Sequence, residues 1–232
     1  MNPRRLHWSF LGRVAYAPAV ALQERLREDV RRRRGPEHLL LVEHPPVFTL
    51  GRNASPADVV ASVEWLRRHG VEVHRASRGG KVTYHGPGQL VGYPIIDLNP
   101  DRRDVRRYVD DLREVLILTL ADFGIAARRR EGKAFIGVWA GEEKIASIGV
   151  HLARWITIHG FALNVATDLS QFAGIVACGL PEVRMASIER LTGRAPALAE
   201  VAARVAEHFG RIFARELVQV AADSLTLNGQ GE

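Results

Sequence analysis

A cysteine and a lysine are the residues of this sequence whose types best suit covalent chemistry. Cys178 is the only cysteine, and glycine and proline punctuate the stretch 177–181 around it, which predicts a loop and an exposed thiol. Because a thiol with a pKa of about 8.5 is mostly protonated at neutral pH, a nucleophilic Cys178 needs a nearby base or cation. Lys144, His85 and His159 are the candidates. A lone cysteine is more often a small buried apolar residue, and Lys144 taken alone is a turn lysine in solvent, so both alternatives stay open.

Lysine is scarce in this chain, which carries 29 arginines and lysines at only three positions. An arginine side chain stays protonated, whereas a partly buried lysine can lose its proton and act as a base. The composition therefore favours a chemical role for the few positions where the chain has lysine instead of arginine. The three positions are Lys81, Lys133 and Lys144.

A glycine-rich stretch from Arg78 to Asp97 is the most unusual part of the sequence. Its glycine turns at 79–80 and 86–88 allow positive φ angles and a close approach of the backbone to a ligand. We predict a strand–turn–strand unit that presents polar side chains to a ligand and leads into a core strand over 90–98. A surface hairpin without function is the alternative. The stretch matches neither the Gly-x-Gly-x-x-Gly nucleotide pattern nor a phosphate-binding loop.

Length and composition indicate one globular unit. The 232 residues can bury a sizeable core, and we predict a single domain of the α/β class over residues 1–222 with a disordered tail over 223–232. No apolar run approaches the roughly 20 residues that span a bilayer, and the N-terminal residues lack the pattern of a secretory signal. One cysteine excludes an internal disulfide and fits a reducing compartment. We therefore expect a cytoplasmic protein without membrane association.

Hydrophobic periodicity and capping residues predict the main elements. Ser62 and Asp104 are the expected N-caps of two helices, which should stop at Gly70 and Gly124. A final helix is expected over 196–217. The other predicted segments are strands over 7–15, 38–43, 71–74, 125–128, 135–140, 144–151 and 155–165, a helix over 18–34 and a loop over 167–179.

The net charge of +6 predicts attraction to an acidic partner, either nucleic acid or an acidic protein. The arginine run 31–34 lies at the C-terminal end of the first predicted helix, where its positive charge interacts favourably with the helix dipole. Such a run is typical of a solvated face. Because aromatic residues do not interleave with the arginines, a nucleic-acid-binding module receives little support. Arg52, which follows Gly51, has two open interpretations, a ligand contact or a loop arginine.

Four segments carry a resemblance to a known family. They are His44-Pro45-Pro46 with Thr49 to Arg52, Arg78 to Gln89, Lys144 to Gly149, and His159 to Asn164 with Cys178-Gly179 beyond. In this order and combination the chain closely resembles the lipoyl(octanoyl) transferase family, and the second segment is the most specific. One departure is Ala177, where the family often has proline before the cysteine.

The resemblance implies the biotin/lipoate protein ligase-like fold, a mixed β-sheet flanked by helices in one domain. It implies an acyl transfer in two steps without ATP or a metal. Cys178 takes an octanoyl group from acyl carrier protein as a thioester, and a lysine of an apo lipoyl domain then takes it as an amide. Lys144 is the implied second catalytic residue, which lowers the thiol pKa as a cation or moves protons as an amine.

The resemblance also implies an acyl pocket, with His159 and Arg52 as possible supporting residues. The implied pocket residues are Arg78, Gly79, Gly80, Lys81, Val82, Thr83, Tyr84, His85, Ser147, Ile148, Gly149, Gly160, Phe161 and Ala162. Backbone N–H groups at Gly79-Gly80, at 147–149 or at Gly179 are candidate donors to the oxyanion. Structural roles suit His85 and His159 equally well.

The implied partners are octanoyl-acyl carrier protein and the apo lipoyl domains of 2-oxoacid dehydrogenase complexes and of the glycine cleavage H protein. Both kinds of partner are generally acidic, so arginines around the cleft would steer them to a monomeric enzyme that binds no nucleic acid. The nearest alternative is an ATP-dependent lipoate or biotin ligase, which activates a free acid as an adenylate and needs no cysteine.

Overall fold

The structure, a computed structural model, describes residues 4–132, 135–176 and 183–225. Within these residues, eleven strands form two sheets, and five α-helices accompany them. The strands are β1 (Arg4–Arg13), β2 (Glu37–Glu43), β3 (Val47–Leu50), β4 (Glu72–Arg75), β5 (Val82–His85), β6 (Gln89–Ile95), β7 (Ala127–Arg128), β8 (Gly137–Ala140), β9 (Glu143–Ala153), β10 (Ile156–Asn164) and β11 (Arg215–Gln219). The helices are α1 (Tyr16–Arg31), α2 (Val63–His69), α3 (Val105–Asp122), α4 (Ile188–Thr192) and α5 (Leu198–Phe213).

The larger sheet has the strand order β11-β1-β2-β6-β10-β9-β8-β7. Strand β1 is parallel to both β11 and β2, and the other neighbours are antiparallel. The smaller sheet has the order β4-β3-β5, in which β3 is parallel to β4 and antiparallel to β5. The predicted fold class, a mixed sheet flanked by helices, is confirmed.

The central strands of the larger sheet are buried on both faces, which explains their continuous apolar runs. Along β2, Leu39 and Leu41 join the core formed with α3 and α5, whereas Leu40 and Val42 join the core formed with α1. Successive side chains of a strand point to opposite faces, so such a run needs a helical layer on each side.

The strand–turn–strand unit predicted from the glycine-rich stretch belongs to two different sheets. Strand β5 pairs with β3 in the smaller sheet, whereas β6 lies between β2 and β10 in the larger one. The turn between them requires Gly88, which has a φ of +77° and where a Cβ would lie 2.3 Å from the Ala166 carbonyl oxygen. The stretch therefore connects the sheets instead of forming a surface hairpin.

The predicted caps of two helices are confirmed. The Ser62 side chain accepts a backbone N–H in the first turn of α2, and Gly70 ends that helix in the left-handed conformation. The Asp104 side chain accepts the N–H groups of Arg106 and Arg107 at the start of α3. The predicted antiparallel pair, β9 with β10, is also present.

The final helix is shorter than predicted. Helix α5 stops at Phe213, Ala214 turns the chain out of the helix at a φ of +51°, and β11 then pairs with β1. The Arg215 guanidinium donates to the Glu37 carboxylate at 2.5 Å and to the Phe213 carbonyl at 2.8 Å. The predicted helix is therefore wrong over its last residues, because pairing with a distant strand outweighs the local helical pattern.

The predicted boundary between domain and tail falls at residue 222. A short 3-10 helix covers Ala222–Ser224, and Leu225 packs into the same core as α1. Residues 226–232 lie outside the described part of the chain, so the tail and the single-domain assignment stay predictions. Of the helices that the structure describes, none combines the length and apolar character needed to cross a bilayer.

We expect the buried face of α3 to contribute strongly to stability. Leu112 is fully buried at 0 % exposure, whereas Leu191 of α4 is 39 % exposed. Leu112→Ala should lower the free energy of unfolding by about 2–5 kcal/mol, because lost apolar contacts add to the effect of the cavity left behind. Leu191→Ala is the matched control and should change it by less than about 1 kcal/mol. Urea unfolding followed by circular dichroism measures both, and equal losses would contradict this assignment of the core.

Candidate active site

A cavity of about 760 Å³ lies between the smaller sheet and strands β9 and β10 of the larger one. It brings together most of the predicted pocket residues, and Lys144, His159 and Arg52 line it too. The predicted pocket residues in its wall are Arg78, Gly79, Gly80, Lys81, Val82, Thr83, His85, Ser147, Ile148, Gly149, Gly160, Phe161 and Ala162. Segments that are distant in sequence thus meet at one cavity, while the binding role of each residue stays a prediction.

Tyr84 is a predicted pocket residue that the structure places elsewhere. Val82, Thr83 and His85 of β5 all line the cavity, whereas Tyr84 does not. The Tyr84 ring packs edge-on against Phe48 and Phe172 in the core of the smaller sheet. Tyr84 therefore supports the strand that carries this part of the cavity wall.

Lys144 lies near the start of β9, and its side chain is buried at the cavity. Its Nζ atom lies 5.9 Å from the centroid of the Trp139 ring. Gly137 on β8 leaves room for this side chain, because a Cβ there would lie 2.6 Å from the Lys144 Cε atom and 3.3 Å from Nζ. The alternative of a turn lysine in solvent is therefore wrong.

The chain beyond the predicted nucleophile pairs directly with Lys144. The Lys144 N–H donates to the Arg184 carbonyl, and the Lys144 carbonyl accepts the Ala186 N–H, both at 2.9 Å. Cys178 and Gly179 lie outside the described residues, so a contact between Cys178 and Lys144 stays a prediction. Within the predicted loop over 167–179, residues Leu169–Gly174 form a 3-10 helix.

The buried guanidinium of Arg78 binds the glycine loop and strand β3. Its Nη1 donates to the carbonyls of Gly79 and Lys81 at 3.1 and 2.8 Å, and its Nη2 donates to the carbonyl and hydroxyl of Thr49 at 2.5 and 2.7 Å. The Gly79 N–H donates to the Val150 carbonyl at 2.9 Å. The glycine loop is thus held against both sheets. Because the Gly79 N–H already has an acceptor, we remove it from the candidate oxyanion donors.

Three buried histidines beside the cavity favour the neutral form. Burial, followed by the effects of His44 and Arg78, lowers the pKa of His85 well below its usual value. Burial lowers the pKa of His44 to about 4, and burial together with the Arg78 charge lowers the pKa of His159 to about 3. At neutral pH these rings therefore act as hydrogen-bonding groups and not as cations.

Ser77 bridges two histidines at the cavity wall. Its Oγ atom lies 2.9 Å from Nε2 of His159 and 2.9 Å from Nδ1 of His151. The backbone N–H of His159, at a φ of +57°, donates to the buried Gln23 side chain at 2.8 Å. Sequence reasoning missed Ser77 and Gln23. The position of Ser77 directly before the Arg78 motif is a usable signal, whereas Gln23 lies in an ordinary amphipathic helix.

Apolar residues outside the motifs complete the cavity wall, and sequence reasoning assigned them no role in the site. Val105 and Val109 of α3 share a helix face at i, i+4 spacing, and Val91, Ile136 and Leu152 line other parts of the wall. Val105 and Ile136 remain 44 % and 37 % exposed, so the apolar part of the wall is accessible from solvent. The cavity therefore suits an aliphatic ligand whose polar end meets the buried amine.

Two further cations lie at the cavity. Arg52 is exposed and lines the cavity. Its backbone N–H donates to the Arg78 carbonyl at 3.0 Å. The Lys81 Nζ atom lies 4.0 Å from the Asp58 carboxylate. This placement favours the ligand-contact interpretation of Arg52, which stays a prediction.

Metal ligands were not expected from the sequence. Among the described residues, no group of three or more His, Cys, Asp and Glu side chains is arranged to hold a metal ion. The expectation of a metal-free reaction stays a prediction.

Comparison with known proteins identifies close relatives of the chain. The family model of the lipoyl protein ligase A/B catalytic domain matches residues 15–210. The octanoyltransferase of Solibacter usitatus is 50 % identical over 214 residues, which cover 91 % of this chain and 94 % of that protein. The octanoyltransferase of Syntrophotalea carbinolica is 49 % identical over 199 residues, which cover 86 % of this chain and 90 % of that protein.

Solved structures agree in fold at much lower identity. A bi-partite lipoate protein ligase of Thermoplasma acidophilum has a TM-score of 0.71 at 17 % identity, covering 97 % of this chain and 91 % of that one. The biotin protein ligase of Aquifex aeolicus, in complex with biotin and ATP, has a TM-score of 0.54 at 14 % identity, covering 90 % and 70 %. The predicted biotin/lipoate protein ligase-like fold is therefore confirmed. Since the family model spans most of the sequence and half of the residues are shared with an octanoyltransferase, the chain belongs to the lipoyl protein ligase A/B catalytic domain family.

Proposed function

We propose that this protein is an octanoyltransferase of protein lipoylation, which moves an octanoyl group from acyl carrier protein to a lysine of an apo lipoyl domain. The observation that carries this proposal is the 50 % identity to an octanoyltransferase over nearly the full length of both chains. The apolar cavity and its buried lysine support it. Each methylene of an acyl chain buried there contributes on the order of 0.8 kcal/mol.

In the first proposed step, the Cys178 thiolate attacks the thioester carbonyl of octanoyl-acyl carrier protein. A bond from carbon to the Cys178 sulfur forms, the bond to the carrier sulfur breaks, and the proton lost by Cys178 passes to the departing carrier thiolate. Lys144 is proposed to stabilise the thiolate and to carry this proton. One thioester replaces another of similar energy, so the step needs neither ATP nor a metal.

In the second proposed step, the ε-amine of a lysine on the lipoyl domain attacks the octanoyl-Cys178 thioester. A C–N bond forms, the C–S bond breaks, and the proton lost by the amine passes through Lys144 to the Cys178 sulfur. Forming an amide from a thioester is downhill in free energy. An arginine at position 144 would stabilise the thiolate but would not accept the proton.

The proposed partners visit the same cavity in turn, so their contacts should be transient and modest in area. They are octanoyl-acyl carrier protein and the apo lipoyl domains of 2-oxoacid dehydrogenase complexes and of the glycine cleavage H protein. The net charge of +6 favours both, because both kinds of partner are generally acidic. We propose a monomeric enzyme that works in the cytoplasm and binds no nucleic acid.

An ATP-dependent lipoate or biotin ligase is the second candidate, because one solved structure of similar fold is a biotin protein ligase in complex with biotin and ATP. That likeness, at 14 % identity, concerns the fold alone. Incubation of the enzyme with octanoyl-acyl carrier protein and apo lipoyl domain in nucleotide-free buffer distinguishes the candidates. A transferase forms octanoyl-lipoyl domain there, whereas a ligase requires ATP and free acid.

The covalent intermediate is directly testable. After incubation with octanoyl-acyl carrier protein, we expect the intact mass of the enzyme to rise by one octanoyl group, and we expect no rise for Cys178→Ala. Cys178→Ser should also lose transfer, because a hydroxyl is a much weaker nucleophile than a thiolate. An acyl group that still appears on Cys178→Ala, or substantial turnover by Cys178→Ser, would remove Cys178 as the nucleophile.

Proton transfer by Lys144 predicts that charge alone is insufficient. Lys144→Arg keeps a cation but removes a group that can release and accept a proton, so the transfer rate should fall by about 10²-fold or more. Lys133→Arg, at a lysine outside the four family segments, is the control for the type of substitution and should transfer at the wild-type rate. Rates are measured by mass spectrometry of the lipoyl domain. Wild-type activity of Lys144→Arg would show that only the charge matters.

The space at Gly137 predicts a sensitive position outside the family motifs. A Cβ at Gly137 would lie 2.3 Å from the Ala146 carbonyl oxygen and 2.6 Å from the Lys144 Cε atom, so Gly137→Ala should shift β8 against β9, displace the amine and lower the transfer rate by about tenfold or more. Gly141→Ala is the matched control in the same β8–β9 hairpin. Gly141 also has a positive φ, +58°, but a Cβ at this position would have no neighbouring atom within 4 Å. Equal losses in both variants would point to strain from the positive φ instead of crowding against Lys144 and the Ala146 carbonyl.

A further inference from the structure

Two buried amide side chains behind the cavity have no part in the proposed chemistry. Gln89 on β6 is 1 % exposed and Asn164 on β10 is 4 % exposed, and the two residues are partners in the register of the larger sheet. Buried amides persist where all their polar atoms find partners. The pattern of those partners sets the direction of each hydrogen bond.

The direction is fixed by two backbone carbonyls, which can only accept. Asn164 Nδ2 donates to the Ala186 carbonyl at 2.9 Å, so the Asn164 Oδ1 atom faces Gln89. Gln89 Nε2 donates to that oxygen at 2.9 Å and to the Tyr84 carbonyl at 3.2 Å. Reversing either amide would place oxygen against oxygen, so neither can turn over.

The remaining atom of this relay, Gln89 Oε1, lies 2.8 Å from Nδ1 of His85. An amide oxygen only accepts, so Nδ1 of His85 must carry a hydrogen. The ring is then neutral with Nδ1 protonated, and its second nitrogen, Nε2, holds a lone pair. Burial lowers the pKa of His85 well below its usual value, which is consistent with a neutral ring.

Because Nδ1 of His85 bonds to Gln89, Nε2 is the ring nitrogen that can accept a hydrogen bond from a ligand in the cavity. Among the described residues, Gln89 is the hydrogen-bond partner of this ring, and the ring itself lines the cavity. The charged or titratable groups that act on it are His44, Arg78 and His159, of which the two histidines favour the neutral form.

We propose that Gln89 and Asn164 are positioning residues that hold His85 as its Nδ1–H tautomer, so that Nε2 accepts an N–H of the amine that attacks the acyl group. This role rests on the proposed transfer to a lysine amine. It aligns the amine but does not require His85 to take up the proton, which passes to Lys144 as described above.

The relay also fixes His85 relative to Lys144. The Ala186 carbonyl accepts from Asn164, and the Ala186 N–H donates to the Lys144 carbonyl at 2.9 Å. The acceptor for the incoming amine and the buried lysine therefore belong to one hydrogen-bonded frame. A substitution of Gln89 removes the bond to His85 but leaves the bonds from Asn164 through Ala186 to Lys144, so it should disturb the reaction with the amine more than formation of the acyl-enzyme.

The tautomer is measured on the wild-type protein by ¹⁵N NMR of histidine-labelled enzyme, with the His85 signals assigned by their loss in His85→Phe. We expect Nδ1 at the shift of a protonated nitrogen and Nε2 at the shift of an unprotonated one at neutral pH. A protonated Nε2, in either the other neutral tautomer or the cation, would overturn the proposal without any measurement of activity.

The role is tested with Gln89→Met, which keeps the approximate size of the side chain and removes its polar atoms. In single-turnover reactions, octanoylation of the enzyme should stay within about twofold of wild type, whereas transfer to the lipoyl-domain lysine should fall about tenfold, as for one lost hydrogen bond. The NMR signals of His85 should show loss of the exclusive Nδ1–H tautomer. Gln171→Met, whose amide bonds to Asp168 outside the cavity, is the matched control.

The outcomes separate this proposal from the proposed function. If wild-type enzyme forms no octanoyl intermediate, the proposed function fails, while the NMR result still decides the tautomer. If Gln89→Met changes the tautomer and transfers at the wild-type rate, the role of His85 fails and the proposed function stands. Equal losses in both half-reactions would make Gln89 a structural residue only and would also overturn the proposal.

Discussion

The packing of the Arg78 side chain is the constraint on which the rest of the site depends. A Cβ at Gly51 would lie 2.7 Å from Nη1 of Arg78 and 2.5 Å from the Gly80 carbonyl oxygen. A Cβ at Gly149, on the other side, would lie 3.1 Å from Cδ of Arg78 and 3.2 Å from the Gly79 carbonyl oxygen. Two motif segments that are far apart in the sequence therefore carry glycine at these positions, because the Arg78 side chain of a third segment lies between them.

Arginine suits this position for reasons of geometry and charge. Its planar guanidinium presents several N–H donors in fixed directions, and here they reach three backbone carbonyls and one hydroxyl around the glycine loop. The ammonium group of a lysine has three donors on a flexible chain and would not serve the same acceptors. The fixed loop in turn places His85 and the wall of β5 opposite Lys144 on β9, so the shape of the cavity follows from contacts that need no ligand.

Local signals account for the parts of the fold that the sequence predicts. Caps such as Ser62 and Asp104, and the apolar runs of the central strands, depend on neighbouring residues. The pairing of strands depends on residues that are distant in the sequence. Nothing near Arg215 therefore indicates that the chain leaves α5 to join β1. Likewise, nothing near β5 and β6 indicates that they enter different sheets. The site divides in the same way. Family motifs identify most residues of the cavity wall, whereas the relay through Gln89 and Asn164 requires the relative placement of several elements, which spacing alone does not encode.

The few lysines have a consequence for the proposed reaction, in which the acyl acceptor is itself a lysine. An exposed amine near the activated octanoyl group would react with it and leave the enzyme as a dead-end amide. In the part of the chain that the structure describes, Lys144 is buried, whereas the Lys81 side chain is 44 % exposed at the cavity, 4.0 Å from the Asp58 carboxylate, and arginines supply the rest of the Lys and Arg charge. Because a guanidinium keeps its proton, it is a poor nucleophile. Among the described residues, self-acylation would therefore be confined to Lys81, because the positive charge that we propose attracts acidic partners is otherwise carried by arginine.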